Sequence, residues 1–250
     1  MLDFLVKDGV AWITLQRPEV LNAINRELAN AFRQRIEELQ GRADIRVVVT
    51  RGAGRAFCAG SDLRELAPLS AAEAMAYELE FADIFSTLDK LPQPTIAMVH
   101  GYALGGGLGL ALYHDFRIAV TTASLGMPEV ELGWIPPWAV ARLAETIGVA
   151  QARWILMSCK LFTGAEAANI GLVNEAVPEG QLLSRVEDLA NRLASMPAEG
   201  LSSTKAFLNR MSPLRNFEFD RQASENFRDC FSKPAAEERL RNFLTRKGKR

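Results

Sequence analysis

Cysteine, histidine and any excess of one charge are what this chain lacks. Among 250 residues there are 3 Cys and 2 His. Cys58, Cys159 and Cys230 are an odd, sparse set without metal-type spacing. That excludes a disulfide scaffold and fits free thiols in a reducing compartment. His100 and His114 have no ligand partners at short spacing, so no metal site is expected and both are read as packed, hydrogen-bonded residues. Lys and Arg number 29 against 30 Asp and Glu, a net charge of −1, which opposes a dedicated nucleic-acid binder. Only the last five residues, Arg246 to Arg250, are basic together, and they read as a solvated tail. The longest apolar stretch, 96–112, holds five glycines and His100, so no membrane span is expected. Asp3, Lys7 and Asp8 interrupt the first ten residues, so a secretory leader is not expected either and a cytoplasmic location is. Repeats and low-complexity linkers are missing. So are the third glycine of a dinucleotide fingerprint after Gly105–Gly109, a Walker lysine, and a Gly-x-Ser-x-Gly elbow around Ser61.

What remains is an ordinary globular composition, 48% hydrophobic and 24% charged, long enough to bury a large core. Val10–Leu15 reads as a strand after a turn at Asp8-Gly9. Asn25 caps an amphipathic helix with Leu28, Phe32, Ile36 and Leu39 on its apolar face, ending near Gly41. Ile45–Thr50, Thr95–Val99 and Phe116–Val120 read as buried strands. Ser70-Ala-Ala-Glu73 and Thr163-Gly-Ala-Glu166 are capping boxes, the first opening a helix to about Asp89. Helical periodicity runs through 182–193, and segments near 200–211, 216–231 and 235–245 are also helical. Strand and helix thus alternate to about residue 180 and helix follows, which implies βα crossovers and a helical appendage. The expected division is 1–190 for the core and 191–250 for the helical region.

Three segments carry candidate chemistry. Glycine loops follow buried strands at Gly52–Leu63 and His100–Gly109, where backbone N–H groups stand unpaired and approachable. Two such groups face to face would form an oxyanion hole; the same glycines would equally serve as tight turns. The third segment, Ser124–Trp138, sets Glu129 and Glu131 among Met127, Val130, Leu132 and Trp134. Burial there raises a carboxyl pKa and suits a general acid–base, whereas exposure would leave both as surface charges.

Arg17-Pro-Glu-Val-Leu21-Asn-Ala23, Ala56–Leu63, Gly101–Gly107, Gly126-Met-Pro-Glu129 and Ala168–Asn174 follow one another in an order and spacing that resembles the enoyl-CoA hydratase/isomerase, or crotonase, superfamily. The resemblance implies an α/β fold with a ββα spiral core and a C-terminal helical trimerisation region, assembled as homotrimers or hexamers. It implies an enzyme, of fatty acid metabolism and related pathways, that stabilises a thioester enolate with the N–H groups of Ser61 and Gly106. Coenzyme A is carried by the acyl-CoA substrate, so no separate cofactor is expected, and its contacts map to Leu21, Ala23, Arg55, Ala59, Asp62, Leu63 and Arg64. Hydratases of the family use two glutamates. The second matches Glu129; the first falls on Gly109, which has no side chain. A lone Glu129 fits an isomerase, which moves one proton from C2 to C4, better than a hydratase, which must also activate water. Glu131 is an accessory candidate. Leu69, Met75, Leu79, Phe81 and Phe85 are candidate walls of the acyl pocket, and Phe227, Phe231 and Phe243 candidate intersubunit contacts. Hydratase, hydrolase and decarboxylase chemistry are the alternatives; the dehalogenase nucleophile is replaced by Pro137. An RNA-binding role has only the basic tail behind it.

Overall fold

The computed structural model describes residues 1–247, with side chains to 245; most of the basic tail lies outside the described residues. Strand β1 (Leu2–Lys7) pairs antiparallel with β2 (Val10–Leu15) across a turn in which Asp8 and Gly9 both take positive φ, 52° and 76°. That is the backbone a two-residue hairpin requires. β3 (Val47–Gly52), β4 (Thr95–Val99), β6 (Phe116–Val120) and β9 (Glu175–Val177) extend the sheet in the order β1-β2-β3-β4-β6-β9, every pairing after the hairpin being parallel. Its central strands are buried on both faces, as parallel strands are. A smaller sheet holds β5 (Tyr102–Leu104), β7 (Ser124–Gly126) and β8 (Phe162–Thr163).

Helix α1 (Arg26–Leu39) starts where Asn25 accepts a bond from the Leu28 amide and buries the four expected apolar residues with Ala29. The short α2 (Leu63–Leu66) is capped by Asp62, and α3 (Ala71–Ser86) opens on the Ser70/Glu73 capping box. α4 (Gly106–Leu112) begins at the second glycine loop. α5 (Val140–Ser158) is a long helix broken at Gly148, which sits at φ 78°, and α6 (Gly164–Asn169) follows the second capping box. α7 (Leu182–Ser195) packs on β3, β4 and β6.

The C-terminal helices α8 (Ala198–Met211), α9 (Phe217–Phe231) and α10 (Pro234–Lys247) fold back on their own chain. Lys205 of α8 is buried and pairs with Asp115 at 2.8 Å while donating to the Leu88 and Gln93 carbonyls. α9 packs on α3 and α5, and α10 on the turn at 129–132. Phe227 is fully buried against Trp134 and Phe231. Phe227 and Phe231 support Trp134, and Phe243 lines a cavity. Both histidines hold the fold. His114 is buried between the Leu110 carbonyl and Thr50 Oγ1, and His100 Nε2 meets the Gly54 carbonyl. Among the described residues no helix is long and apolar enough to cross a membrane.

Candidate active site

The loop after β3 is fixed from both sides. Asn22, itself at φ 56°, accepts from the Arg17 amide and donates to the carbonyls of Ala53 and Ala56. Farther on, the Phe57 and Cys58 amides bond the carbonyls of His100 and Tyr102, and the Leu104 amide bonds Cys58 O, so the loop runs alongside β5. This contact brings Gly60 against the second glycine loop: a Cβ on Gly60 would lie 2.9 Å from Leu104 O and 3.4 Å from the Gly106 nitrogen. The amides of Ser61 and Gly106 therefore meet at one cavity. Neither donates a hydrogen bond among the described residues, Gly106 because it is the first residue of a helix, whose early amides have no intrahelical partner.

The cavity, about 310 Å³, is lined by Leu21, Ala59, Ser61 and Leu63 on one side and by Gly105, Gly106, Pro128 and Glu129 on the other. Leu66, Leu104, Leu132, Trp134 and Trp138 make most of its apolar wall, and Phe243 of α10 completes it. Glu129 begins a 3-10 turn, Glu129–Leu132, that points its carboxyl inward. Its Oε1 lies 2.7 Å from where a Cβ on Gly105 would be, and Gly105 itself is at φ 53°, so this position demands glycine twice over. Its Oε2 is buried with no hydrogen-bond partner. Burial, with a smaller push from the charge of Glu78, moves the Glu129 carboxyl up to about 8.

The same turn settles Glu131. It is exposed, and its carbonyl accepts from Arg239. Glu131, the accessory candidate, does not line the cavity: a 3-10 turn, unlike an extended segment, rotates the residue two positions on away from it. Gly109 is also outside the cavity lining. A Cβ there would lie 2.5 Å from the Trp138 ring, so the indole fills the volume that a side chain at 109 would need. Trp138 is held in turn by α9. Asp220 accepts from the Ala139 amide and Tyr113 Oη, both at 2.8 Å, and Ser224 Oγ donates to the Pro137 carbonyl at 2.7 Å.

Of the residues matched to coenzyme A contacts, Leu21, Ala59 and Leu63 line the cavity and Arg55 and Arg64 are exposed. Ala23 and Asp62 are engaged internally: Arg17 donates to the Ala23 carbonyl at 2.5 Å and pairs with the Asp62 carboxylate at 2.9 Å. Asp62 is a buried strut and helix cap.

One site residue escaped the sequence reading. Glu78, 2% exposed, projects from α3 into the cavity, where Ser61 Oγ donates to its Oε2 at 2.9 Å and Trp138 Nε1 at 2.8 Å. Burial raises its carboxyl to about 7 against the pull of these two donors. None of the five residues expected as pocket walls on this segment lines the cavity; α3 contributes Glu78 instead.

The sequence profile described as enoyl-CoA hydratase/isomerase matches residues 6–249. The chain belongs to the enoyl-CoA hydratase/isomerase family. Its relatives include a short-chain-enoyl-CoA hydratase of Clostridium acetobutylicum, 31% identical over 97% of this chain and 94% of that one. An enoyl-CoA isomerase/hydratase of Mycosarcoma maydis is 36% identical over 78% of this chain and 74% of its own. The crystal structure of an enoyl-CoA hydratase from Mycobacterium smegmatis superposes with a TM-score of 0.87 at 27% identity, covering 95% of this chain and 86% of that one. The fold is thus the α/β architecture of crotonase structures, and this family member is an enzyme of acyl-CoA thioesters.

Proposed function

We propose that the enzyme moves the double bond of a 3-enoyl-CoA to the 2-position. The Ser61 and Gly106 amides receive the thioester oxygen, and ionised Glu129 takes a proton from C2. The C2–H electron pair passes into the dienolate, whose oxygen charge the two amides stabilise. Protonation at C4 by the carboxylic acid so formed completes the shift and restores the base. The observation that carries this reading is the Trp138 ring packed against Gly109. It leaves Glu129, with its unpartnered oxygen beside the oxyanion glycines, as the base of the site.

Leu21, Ala59 and Leu63 form the rim along which we place the pantetheine arm, with Arg55 and Arg64 available to phosphate. Hydration is the second reading. It is favoured by the names of several relatives and by Glu78 as another carboxyl in the cavity. Incubation with 3-enoyl-CoA and 2-enoyl-CoA esters, followed by product mass, separates the two: isomerisation conserves mass and hydration adds one water. Addition of water to a 2-enoyl-CoA at rates above isomerisation would overturn the first reading.

A further inference from the structure

Glu78 stands where a carboxyl is costly. The other buried residues of α3 are Ala74, Tyr77, Phe81, Ala82, Ile84 and Phe85, and a carboxyl so placed needs partners to offset its desolvation. Both bonds it receives, from Ser61 Oγ and Trp138 Nε1, converge on Oε2. Among the described residues Oε1 receives none, although the residue lines the cavity. The remaining polar side chains of the lining, apart from the Trp134 and Trp138 indoles, are Ser61, Tyr102 and Glu129, and none of them is bonded to that oxygen.

Ser61 fixes where this oxygen lies relative to a substrate. Its amide is one of the two that receive the thioester oxygen, and its hydroxyl is bonded to Glu78. The Glu78 carboxyl is therefore one hydrogen bond from the residue that holds the thioester, within reach of the acyl carbons that follow it. A plain hydrocarbon chain laid there would strip water from Oε1 and return nothing. A site with a buried polar group discriminates against a ligand that leaves it unpaired.

We propose that Glu78 is a specificity residue whose open oxygen binds a hydroxyl carried on the acyl chain beyond the reacting carbons, so that the enzyme prefers hydroxyl-bearing acyl-CoA esters to plain hydrocarbon ones. It rests on the acyl-CoA reading of the site, not on the choice between isomerisation and hydration. A hydroxyl both donates and accepts, so it pairs with either the ionised or the protonated carboxyl. With burial holding Glu78 at about 7, both forms are present near neutrality.

The test is calorimetric binding of unreactive saturated esters to the full chain: hexanoyl-CoA against 3-, 5- and 6-hydroxyhexanoyl-CoA. The 5- or 6-hydroxy ester is expected to bind on the order of tenfold more tightly than hexanoyl-CoA, the scale of one satisfied buried polar group. Glu78→Gln preserves side-chain volume and an acceptor for Ser61 and Trp138 and turns an amide N–H donor towards the hydroxyl, so it is expected to retain a preference for the hydroxy ester. Glu78→Leu is expected to reverse the order. Equal affinities in the wild type, a preference confined to the 3-hydroxy ester, or a preference untouched by Glu78→Leu would each overturn the assignment. Loss of 3-hexenoyl-CoA turnover in both Glu78 variants with the binding preference intact would overturn it too, marking Glu78 as a proton-transfer group. Failure of every acyl-CoA to bind would overturn the functional reading along with it.

Discussion

Replacing Glu129 by glutamine should cost activity and gain stability, with the second effect confined to one side of the pH scale. Glu129 is buried with one oxygen unpartnered, and its carboxyl sits at about 8 instead of the ordinary 4.5. A carboxyl raised in the native state binds its proton more tightly folded than unfolded. Between pH 4.5 and 8 the native state therefore holds more protons than the unfolded one, and stability falls as pH rises through that window. Moving from 4.5 to about 8, at about 1.36 kcal/mol per pH unit, sets an upper value of about 5 kcal/mol for the stability lost at the alkaline end. Glu129→Gln removes this ionisation while keeping the shape. Urea unfolding of both proteins should give near-equal stabilities at pH 5 and a variant more stable by about 2–5 kcal/mol at pH 9. Turnover of a 3-enoyl-CoA should fall about 10²–10⁴-fold, the contribution of a positioned proton-transfer group. In the wild type the same group requires kcat/KM to rise with pH up to about 8, since only the ionised form abstracts a proton. Parallel stability–pH curves for the two proteins would refute the burial argument. Wild-type turnover in the variant would refute the assignment of the base.

Gly109→Ala should destabilise the fold by about 1–3 kcal/mol, as overpacked core sites do, because its methyl would meet the Trp138 ring at 2.5 Å; thermal unfolding reads this. Gly109→Glu should for the same reason fail to create hydratase activity, a point checked by the product-mass assay. Asp220→Ala leaves the Ala139 amide and Tyr113 hydroxyl without their shared partner. It should lower stability by about 2–4 kcal/mol and depress kcat through the displaced indole; a full kcat would show that α9 does not position Trp138. Trp154 and Met157 are 57% and 75% exposed, with Val149 and Leu161 also exposed nearby in sequence. We expect this patch to be covered in a homotrimer or hexamer, and a monomeric mass by light scattering would contradict it.

The segments legible in the sequence are those whose structure is decided locally. The cap at Asn25, the two capping boxes and the apolar stripe of α1 each satisfy backbone groups within a turn or two, and they fall where expected. β1 escaped because its residues alternate between exposed and half-buried, a weak signal without the partner strand. β5, β7, β8 and β9 have two or three residues each, and pairing across the chain alone makes them strands. α5 lacks a side-chain cap at its start and carries Gly148 inside it, so both of its boundary signals point to a loop. The two glycine loops of the site were legible as turns after strands. Their convergence was not, because Asn22 and β5 impose it from distant parts of the chain.

The second carboxyl of the site shows most plainly how tertiary packing redirects chemistry. On the helical repeat of α3, Glu78 lies four residues after Ala74 and four before Ala82, in the middle of a buried face. A carboxyl in that register was a readable signal, since an unpaired charge on a buried face is rarely tolerated. Its partners were not readable. Ser61 is 17 residues away and Trp138 60, and the indole reaches Glu78 only because Asp220 and Ser224 hold the backbone on either side of it. The same indole excludes a side chain at 109. One aromatic ring thus closes the position where hydratases of the family keep a glutamate and clamps a carboxyl from another helix in the same cavity. That coupling makes a concrete demand: Trp138→Phe keeps most of the ring but removes the N–H. It should raise the Glu78 carboxyl further, through loss of a donor that favours its charged form. Turnover by Glu129 should survive while discrimination among acyl chains changes. Unchanged acyl-chain selectivity in Trp138→Phe would mean that the indole acts only as filler beside Gly109.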